Sequence, residues 1–262
     1  MSEGRFSGQT VLITGAAGGF GALAAKKFAA EGARLALSDV SEAALAAVAD
    51  EIRASGTEVF GEQVDVSRED QVARHIAHVL DRFGRLDVAV NNAGIAHAFT
   101  PLHTLPVETF DRMMAVNARG VFLGMKHQLP PMLDAGRGVI LNVASAAGLV
   151  GAGHLAAYAA AKHAIVGLTR SAADEVAREG IRINALCPSF AATPMFDELS
   201  GQLEDRHALD RTGASARITA RVPMGRVVTA EEVVDAMLWL CSPQNSAMTG
   251  QAVAIDGGLT AI

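Results

Sequence analysis

The sequence predicts an α/β fold: one doubly wound, parallel, seven-stranded sheet with helices on both faces. Three observations lead there. Seven short apolar runs are spread along the 262 residues, most of them continuous rather than alternating in apolar character, as strands covered on both faces require. Amphipathic segments of helix length separate the runs, so strand and helix alternate and right-handed crossovers follow. The polar motifs fall just after these runs or in the adjoining helices, and ligands of an open parallel sheet bind beyond the strand carboxyl ends.

In order, the expected strands are Val11–Thr14, Arg34–Ser38, Glu58–Val64, Asp87–Asn91, Val139–Val143, Arg182–Leu186 and Ala252–Ile255. In the first helical segment Phe20, Leu23, Ala24 and Phe28 recur at helical spacing, and Glu31-Gly32 ends it. Ser41 stands where an N-cap belongs, ahead of an alanine-rich helix. A longer helix is expected over Glu108–Met132. The stretch from Phe190 to Arg226 breaks the rhythm, being long, charged and set between Pro188 and Pro223. It reads as a loop-and-helix flap over the site, about residues 190–226, with a disordered insertion as the plainer alternative. One domain over residues 1–262 accommodates all of this, without repeats or linkers.

Composition narrows the class of function. Half the residues are hydrophobic and 19% are charged, which suits a compact globule. The net charge of −6 comes without any basic run or tail, so nucleic acid is not an expected partner. Cys187 and Cys241 sit beside apolar residues and have no metal-ligand spacing; they read as buried, reduced thiols. No metal site is expected. Gly138–Ala161 is uncharged and long enough to cross a bilayer. Asn142, Ser145, His154, Tyr158 and three interrupting glycines make it a strand, loop and helix start instead. The N-terminal residues have neither the apolar core of a signal peptide nor an Arg-rich transit pattern. The expectation is a cytoplasmic protein with no membrane partner.

Directly after the first strand comes Thr14-Gly15-Ala16-Ala17-Gly18-Gly19-Phe20-Gly21. Gly15 allows a sharp turn, Gly19 lets a pyrophosphate approach, and Gly21 permits close helix packing, while the helix N-terminus offers free N–H groups to phosphate. Between a strand and a helix, this pattern predicts a Rossmann-like dinucleotide site. Asp39 ends the second strand, 24 residues after Gly15. A carboxylate there accepts hydrogen bonds from both adenosine ribose hydroxyls and repels a 2′-phosphate, so NAD is expected over NADP. Asp65 and Val66 end the third strand, where the Asp65 carboxylate is placed to hold the adenine amino group.

Tyr158 is the only tyrosine, and Lys162 follows four residues later. At that spacing the two share a helix face. A free phenol titrates near ~10, and a neighbouring ammonium is expected to lower that value toward neutrality. Ser145, at a strand end, can donate to a carbonyl oxygen or hold an alkoxide, and Asn117 can support a proton relay through water.

These residues together resemble the compact single-domain branch of the short-chain dehydrogenase/reductase family, over essentially the whole chain. The glycine motif matches Thr14–Gly21, the family's Asn-Asn-Ala-Gly motif matches Asn91-Asn92-Ala93-Gly94, and its catalytic tetrad falls on Asn117, Ser145, Tyr158 and Lys162. The resemblance implies that Tyr158 exchanges the substrate proton and Ser145 positions the reacting oxygen. It further implies that Lys162 binds the nicotinamide ribose and lowers the tyrosine pKa, and that Asn117 supports the relay. Asn91 is read as tying strands together, and Asn92, Ala93 and Gly94 join the cofactor set. Pro188 and Thr193 match the family's segment after the sixth strand, whereas Ser189 stands where it usually has glycine, and Phe20 replaces a smaller aliphatic residue.

Ala146, Ala147 and Gly148 leave room beside the reacting carbonyl, and His97, His154 and Phe196 are candidate substrate contacts. The expected activity is NAD-dependent interconversion of a small-molecule secondary alcohol and its ketone, with Tyr158 as acid/base. The alternative is a 3-oxoacyl-thioester reductase, which normally draws on NADPH and a basic patch. A nucleotide-sensing protein without catalysis is a third reading, set against by the intact tetrad. Family resemblance also implies a homotetramer, assembled through the helices carrying Tyr158 and Asn117 and through the C-terminal strand with Asp256-Gly257-Gly258.

Overall fold

The computed structural model describes residues 4–207, 213 and 219–261. All seven expected strands form: β1 (Thr10–Thr14), β2 (Arg34–Asp39), β3 (Val59–Gln63), β4 (Val88–Asn91), β5 (Gly138–Val143), β6 (Ile181–Pro188) and β7 (Ala252–Ile255). They build one sheet of order β3-β2-β1-β4-β5-β6-β7, parallel throughout. The order reverses between β1 and β4, the switch point where a crevice opens beyond the strand ends. Two apolar layers cover the sheet. One gathers Val11, Ile13, Leu35 and Leu37 with Phe28 and Met237; the other gathers Leu12, Ala36, Ala89 and Ile140 with Val79 and Ile165. Successive residues of one strand thus point to opposite faces, and both faces are apolar.

The helices are α1 (Gly19–Ala30), α2 (Glu42–Ala54), α3 (Glu69–Phe83), α4 (Val107–Met113), α5 (Gly120–Ala135), α6 (Ala156–Val176), α7 (Pro194–His207) and α8 (Ala230–Cys241). Between α4 and α5 the chain runs on as a π-helical segment, Met114–Arg119. The single helix expected over Glu108–Met132 is therefore widened in its middle, and Asn117 lies in the wide turn. Insertions of this kind re-aim a side chain without breaking the helix. Ser41 occupies the N-cap of α2 but makes no side-chain cap bond; its N–H donates to Asp39 Oδ1 at 3.0 Å instead.

The expected flap at 190–226 is described in part. Its first half forms α7, and a parallel bridge joins Ala191 to Val228; positions 208–212 and 214–218 lie outside the described residues. No helix among the described residues is long and apolar enough to cross a membrane. Cys187 and Cys241 are buried and free.

A buried polar chain ties the centre of the sheet to its helices. Asn91 Nδ2 donates to Asn142 Oδ1 at 2.9 Å and to Gln128 Oε1 at 3.1 Å, Gln128 Nε2 donates to Asn91 Oδ1 at 2.8 Å, and Asn142 Nδ2 donates to Thr169 Oγ1 at 2.9 Å. Asn91 thus plays the strand-tying part expected of it. Every member is satisfied by the others, so removing one strands its neighbours. Asn142→Leu is expected to lower stability by about 2 kcal/mol in denaturant unfolding, and an unchanged midpoint would show the network to be dispensable.

Candidate active site

Beyond the carboxyl ends of β1, β4, β5 and β6 lies one cavity of about 750 Å³. Its floor at one end is the glycine loop. Gly15 has φ +67° and Gly19 φ +51°, left-handed values that suit glycine. A Cβ on Gly15 would meet Ala93 Cα at 2.7 Å, and one on Gly21 would meet Gly15 O at 2.0 Å. Gly21 therefore packs the helix onto the loop, as expected, and is not itself part of the cavity wall. A Cβ on Gly19 would meet nothing within 4 Å, so that side of the loop is open to a ligand. No side chain caps α1, leaving its first N–H groups and positive dipole end available to an anion.

Thr14 and Asn92 hold the loop in place. Thr14 Oγ1 accepts from the N–H groups of Asn92 and Ala93, both at 3.0 Å, and Asn92 Nδ2 donates to the carbonyls of Thr14 and Gly15, each at 3.0 Å. Asp39 closes this end: its Oδ2 accepts from Ala17 N–H at 3.0 Å, and the residue lines the cavity. The carboxylate is thus fixed against the loop rather than left in solvent.

At the other end stand Ser145, Tyr158 and Lys162. Ser145 caps the short turn that follows β5, accepting from Ala147 N–H at 3.1 Å, and its Oγ donates to Pro188 O at 3.4 Å. Tyr158, in the first turn of α6, lines the same end of the cavity. Lys162 is buried; its Nζ donates to Val143 O at 2.9 Å and lies 5.5 Å from the centre of the Tyr158 ring. Gly94 makes room here, since a Cβ on it would come within 3.0 Å of Asn117 Oδ1 and 3.4 Å of Lys162 Nζ. Asn117 is buried and grips the loop after β4 with both ends of its amide: Ile95 N–H donates to Oδ1 at 2.8 Å and Nδ2 donates to Ile95 O at 2.9 Å. It stands behind the cavity wall and shapes it through Ile95.

The electrostatics depart from expectation. Burial pushes the Tyr158 phenol above its ordinary value, with the Ser145 hydrogen bond pulling the other way. The Lys162 ammonium is turned toward a backbone carbonyl. Burial instead lowers Lys162 itself to about 8. The thiol of Cys187, behind Ser145, is pushed up to about 11 by burial, so it is no nucleophile at neutral pH.

Of the remaining expected contacts, Phe20, Ala93, Gly94, Pro188, Thr193, His154 and Phe196 line the cavity. Asp65, Val66 and His97 do not. Asp65 Oδ1 accepts from the N–H and hydroxyl of Ser67 at 2.9 and 2.7 Å, making a turn, and Val66 packs against Gly120. His97 is buried with Nδ1 2.8 Å from Ala98 O. Ala146 and Ala147 line the cavity, whereas Gly148 packs on the Lys162 carbonyl, which a Cβ would meet at 2.7 Å. His154 carries φ +64°, the one positive value at a non-glycine residue among those described.

Sequence reasoning missed Leu199, Arg221 and Leu259 in the wall. Leu199 follows Phe196 by three residues, so helical spacing would have found it. Arg221 and Leu259 come from distant segments and carry no local signal.

A family model described as "Enoyl-(Acyl carrier protein) reductase" matches residues 15–260. The chain belongs to the short-chain dehydrogenase/reductase family. It is 41% identical to levodione reductase of Leifsonia aquatica, over 98% of this chain and 96% of the relative, and the crystal structure of levodione reductase superposes with a TM-score of 0.94, covering 98% of this chain and 99% of that one. NAD+-bound xylitol dehydrogenase is 32% identical, with a TM-score of 0.92 over 97% and 99% of the two chains. A single-residue variant of actinorhodin polyketide ketoreductase with NADPH is 35% identical, with a TM-score of 0.93 over the full length of both. This family member is an oxidoreductase; of the two ligand-bound relatives, the xylitol dehydrogenase holds NAD+ and the ketoreductase variant NADPH.

Lys162 links site to stability. Its folded value of about 8 lies below the ordinary lysine value of 10.5, so the buried ammonium destabilises the fold below pH 8, and stability rises as pH climbs between the two values. Lys162→Met is therefore expected to raise unfolding free energy at pH 7, by at most ~3 kcal/mol for a shift of this size, with the gain fading as pH climbs from about 8 toward 10.5. Unfolding curves across that range check it; a variant less stable at pH 7 would contradict it.

Proposed function

We propose that the protein is an NAD-dependent oxidoreductase that interconverts a secondary alcohol and its ketone. The observation that carries this reading is that Ser145, Tyr158 and Lys162 share one cavity with Asp39 and the open glycine loop. The residues present fit a dinucleotide. The phosphates would lie over Gly15, Gly19 and the N-terminus of α1, the adenosine ribose at Asp39, and the nicotinamide side at Lys162, Pro188 and Thr193. Asp39 favours NAD because a 2′-phosphate beside its carboxylate would bring like charges together. Asp65 and Val66 are proposed to frame the adenine side from the turn after β3.

When bound, NAD supplies the hydride acceptor. Tyr158 moves the proton. In the reductive direction its phenol, kept protonated by burial, donates to the developing alkoxide. In the oxidative direction it must first lose its proton, so alcohol oxidation speeds up as pH rises. Ser145 Oγ, already within reach of Tyr158, holds the reacting oxygen. Asn117 keeps the loop after β4 in register beside Lys162, where a proton relay passes. Phe99, Phe190, Phe196 and Leu199 give the substrate side an apolar wall, suited to a small, largely apolar alcohol, with His154 at its rim.

Supporting a cytoplasmic setting, both thiols are free and buried. The helical stretch that carries Asn117 exposes Phe110 and Phe122, apolar groups that support assembly into a homotetramer.

A panel of secondary alcohols with NAD, read by absorbance of the reduced cofactor, is expected to give turnover that increases toward alkaline pH and falls at least ~1,000-fold in Tyr158→Phe, roughly the range assigned to a positioned acid/base. NAD is expected to exceed NADP at least ~tenfold in kcat/KM, the equivalent of about 1.4 kcal/mol; equal values would remove the role given to Asp39. Preferential reduction of an acetoacetyl thioester with NADPH would favour the 3-oxoacyl reductase reading. Light scattering at micromolar concentration is expected to give four times the 27.1 kDa chain mass, and a monomer mass would exclude the assembly.

A further inference from the structure

Three segments of the cavity wall that stand apart in the chain are joined through two adjacent backbone N–H groups. After β4 the chain runs from Asn92 to Pro101 without helix or strand, so its backbone groups must find partners elsewhere. Phe99 N–H donates to Gln202 Oε1, on α7, at 3.1 Å. Thr100 N–H donates to the carbonyl of His154, in the loop that leads into α6, at 2.9 Å. Phe99, His154, Phe196 and Leu199 all line the cavity, so each bond ties wall to wall. Along α7, Phe196, Leu199 and Gln202 follow at intervals of three, which sets them on one side of the helix. The first two supply apolar wall, and the third reaches across to the loop that carries Phe99. Phe190 packs edge-on against Phe196, with ring centres 6.3 Å apart, and Thr193 Oγ1 accepts from Phe196 N–H at 3.4 Å. The helix is thus anchored at its start by Phe190 and Thr193 and two turns later by Gln202. At the far end of these contacts His154 keeps φ +64°, a value that a residue with a Cβ holds where its surroundings fix it.

Gln202 Oε1 is the one side-chain atom in these two bonds, and Gln202 stands behind the cavity lining rather than in it. We propose that Gln202 is a positioning residue that sets the width of the substrate side. By tying α7 to Phe99 it fixes the gap between Phe99 and the pair Phe196 and Leu199. That gap limits the bulk of the alcohol that reaches Ser145 and Tyr158. Only an acceptor oxygen is required of it, so a carboxylate at the same position can take its place. This rests on the dehydrogenase reading above.

The test uses the full chain with Gln202→Leu, which removes the acceptor, and Gln202→Glu, which keeps one. Two readouts are compared. The first is kcat/KM across the panel of secondary alcohols with NAD+, taken as the ratio of ring-bearing to open-chain members. Loss of one neutral hydrogen bond corresponds to about fivefold. Gln202→Leu is expected to raise the ratio by about that factor, and Gln202→Glu to keep it within about twofold of wild type. A ratio that stays within about twofold or falls in Gln202→Leu, or that moves equally in both variants, would overturn the proposal. So would a change that tracks a lowered melting temperature. The second readout needs no turnover: backbone amide exchange in the peptide that contains Phe99, followed by mass spectrometry without substrate. Exchange should quicken about fivefold in Gln202→Leu and hold in Gln202→Glu. Unchanged exchange in Gln202→Leu would overturn the clamp itself. If exchange responds as expected while the wild-type chain oxidises no alcohol of the panel, the dehydrogenase reading has failed; the size role falls with it and the clamp stands.

Discussion

Lys162 Nζ donates to the carbonyl oxygen of Val143 at 2.9 Å, and the end of the cavity that holds Ser145 and Tyr158 is arranged around that contact. It joins the first turns of α6 to the end of β5, so the helix that carries Tyr158 is held over the strand that delivers Ser145. The contact places a cation in a buried position, which is unfavourable unless the charge is hydrogen-bonded. The carbonyl at a strand end provides that bond without a counter-carboxylate, leaving the ammonium close to neutrality at about 8. Two glycines make the approach possible: Gly94 gives way to the ammonium, and Gly148 to the lysine backbone.

The strand beneath is itself over-determined. Asn142, next to Val143, is locked to Asn91 and Thr169, so β4, β5 and α6 keep a common register. One residue past Asn91, Asn92 reaches across to the carbonyls of Thr14 and Gly15. A continuous polar path therefore runs from the lysine to the glycine loop through adjacent strand ends. The two ends of the cavity, the glycine loop at one and Ser145, Tyr158 and Lys162 at the other, are fixed relative to each other by hydrogen bonds rather than by packing alone. This is the rigidity that a hydride transfer between two ligands demands.

The features of the cavity that the chain announces are those carried by short local patterns. Gly15, Gly19 and Gly21 announce a turn that only glycine tolerates, and Tyr158 with Lys162 announces one helix face. The parts that did not are those set by direction in space. The spacing of Tyr158 and Lys162 places them together but does not say where the ammonium points; in the fold it meets a carbonyl, and burial moves the phenol the other way. Periodicity puts Asn117 on a regular helix, whereas it lies in a π-helical turn. His97 sits near the motif in sequence and away from the cavity in space, while Arg221 and Leu259 reach it from segments far along the chain.

The amino-acid order alone determined the alternation of strands and helices, hence the parallel sheet, and it marked strand ends that line the cavity. Those properties follow from hydrophobic period and from backbone angles open only to certain residues, both local. The folded structure decided which of the marked groups face one another, which polar atoms find partners, and how far burial shifts Tyr158 and Lys162. Solvation and hydrogen bonding at a point depend on everything packed around it, and those neighbours are assembled from strands that stand apart in the chain.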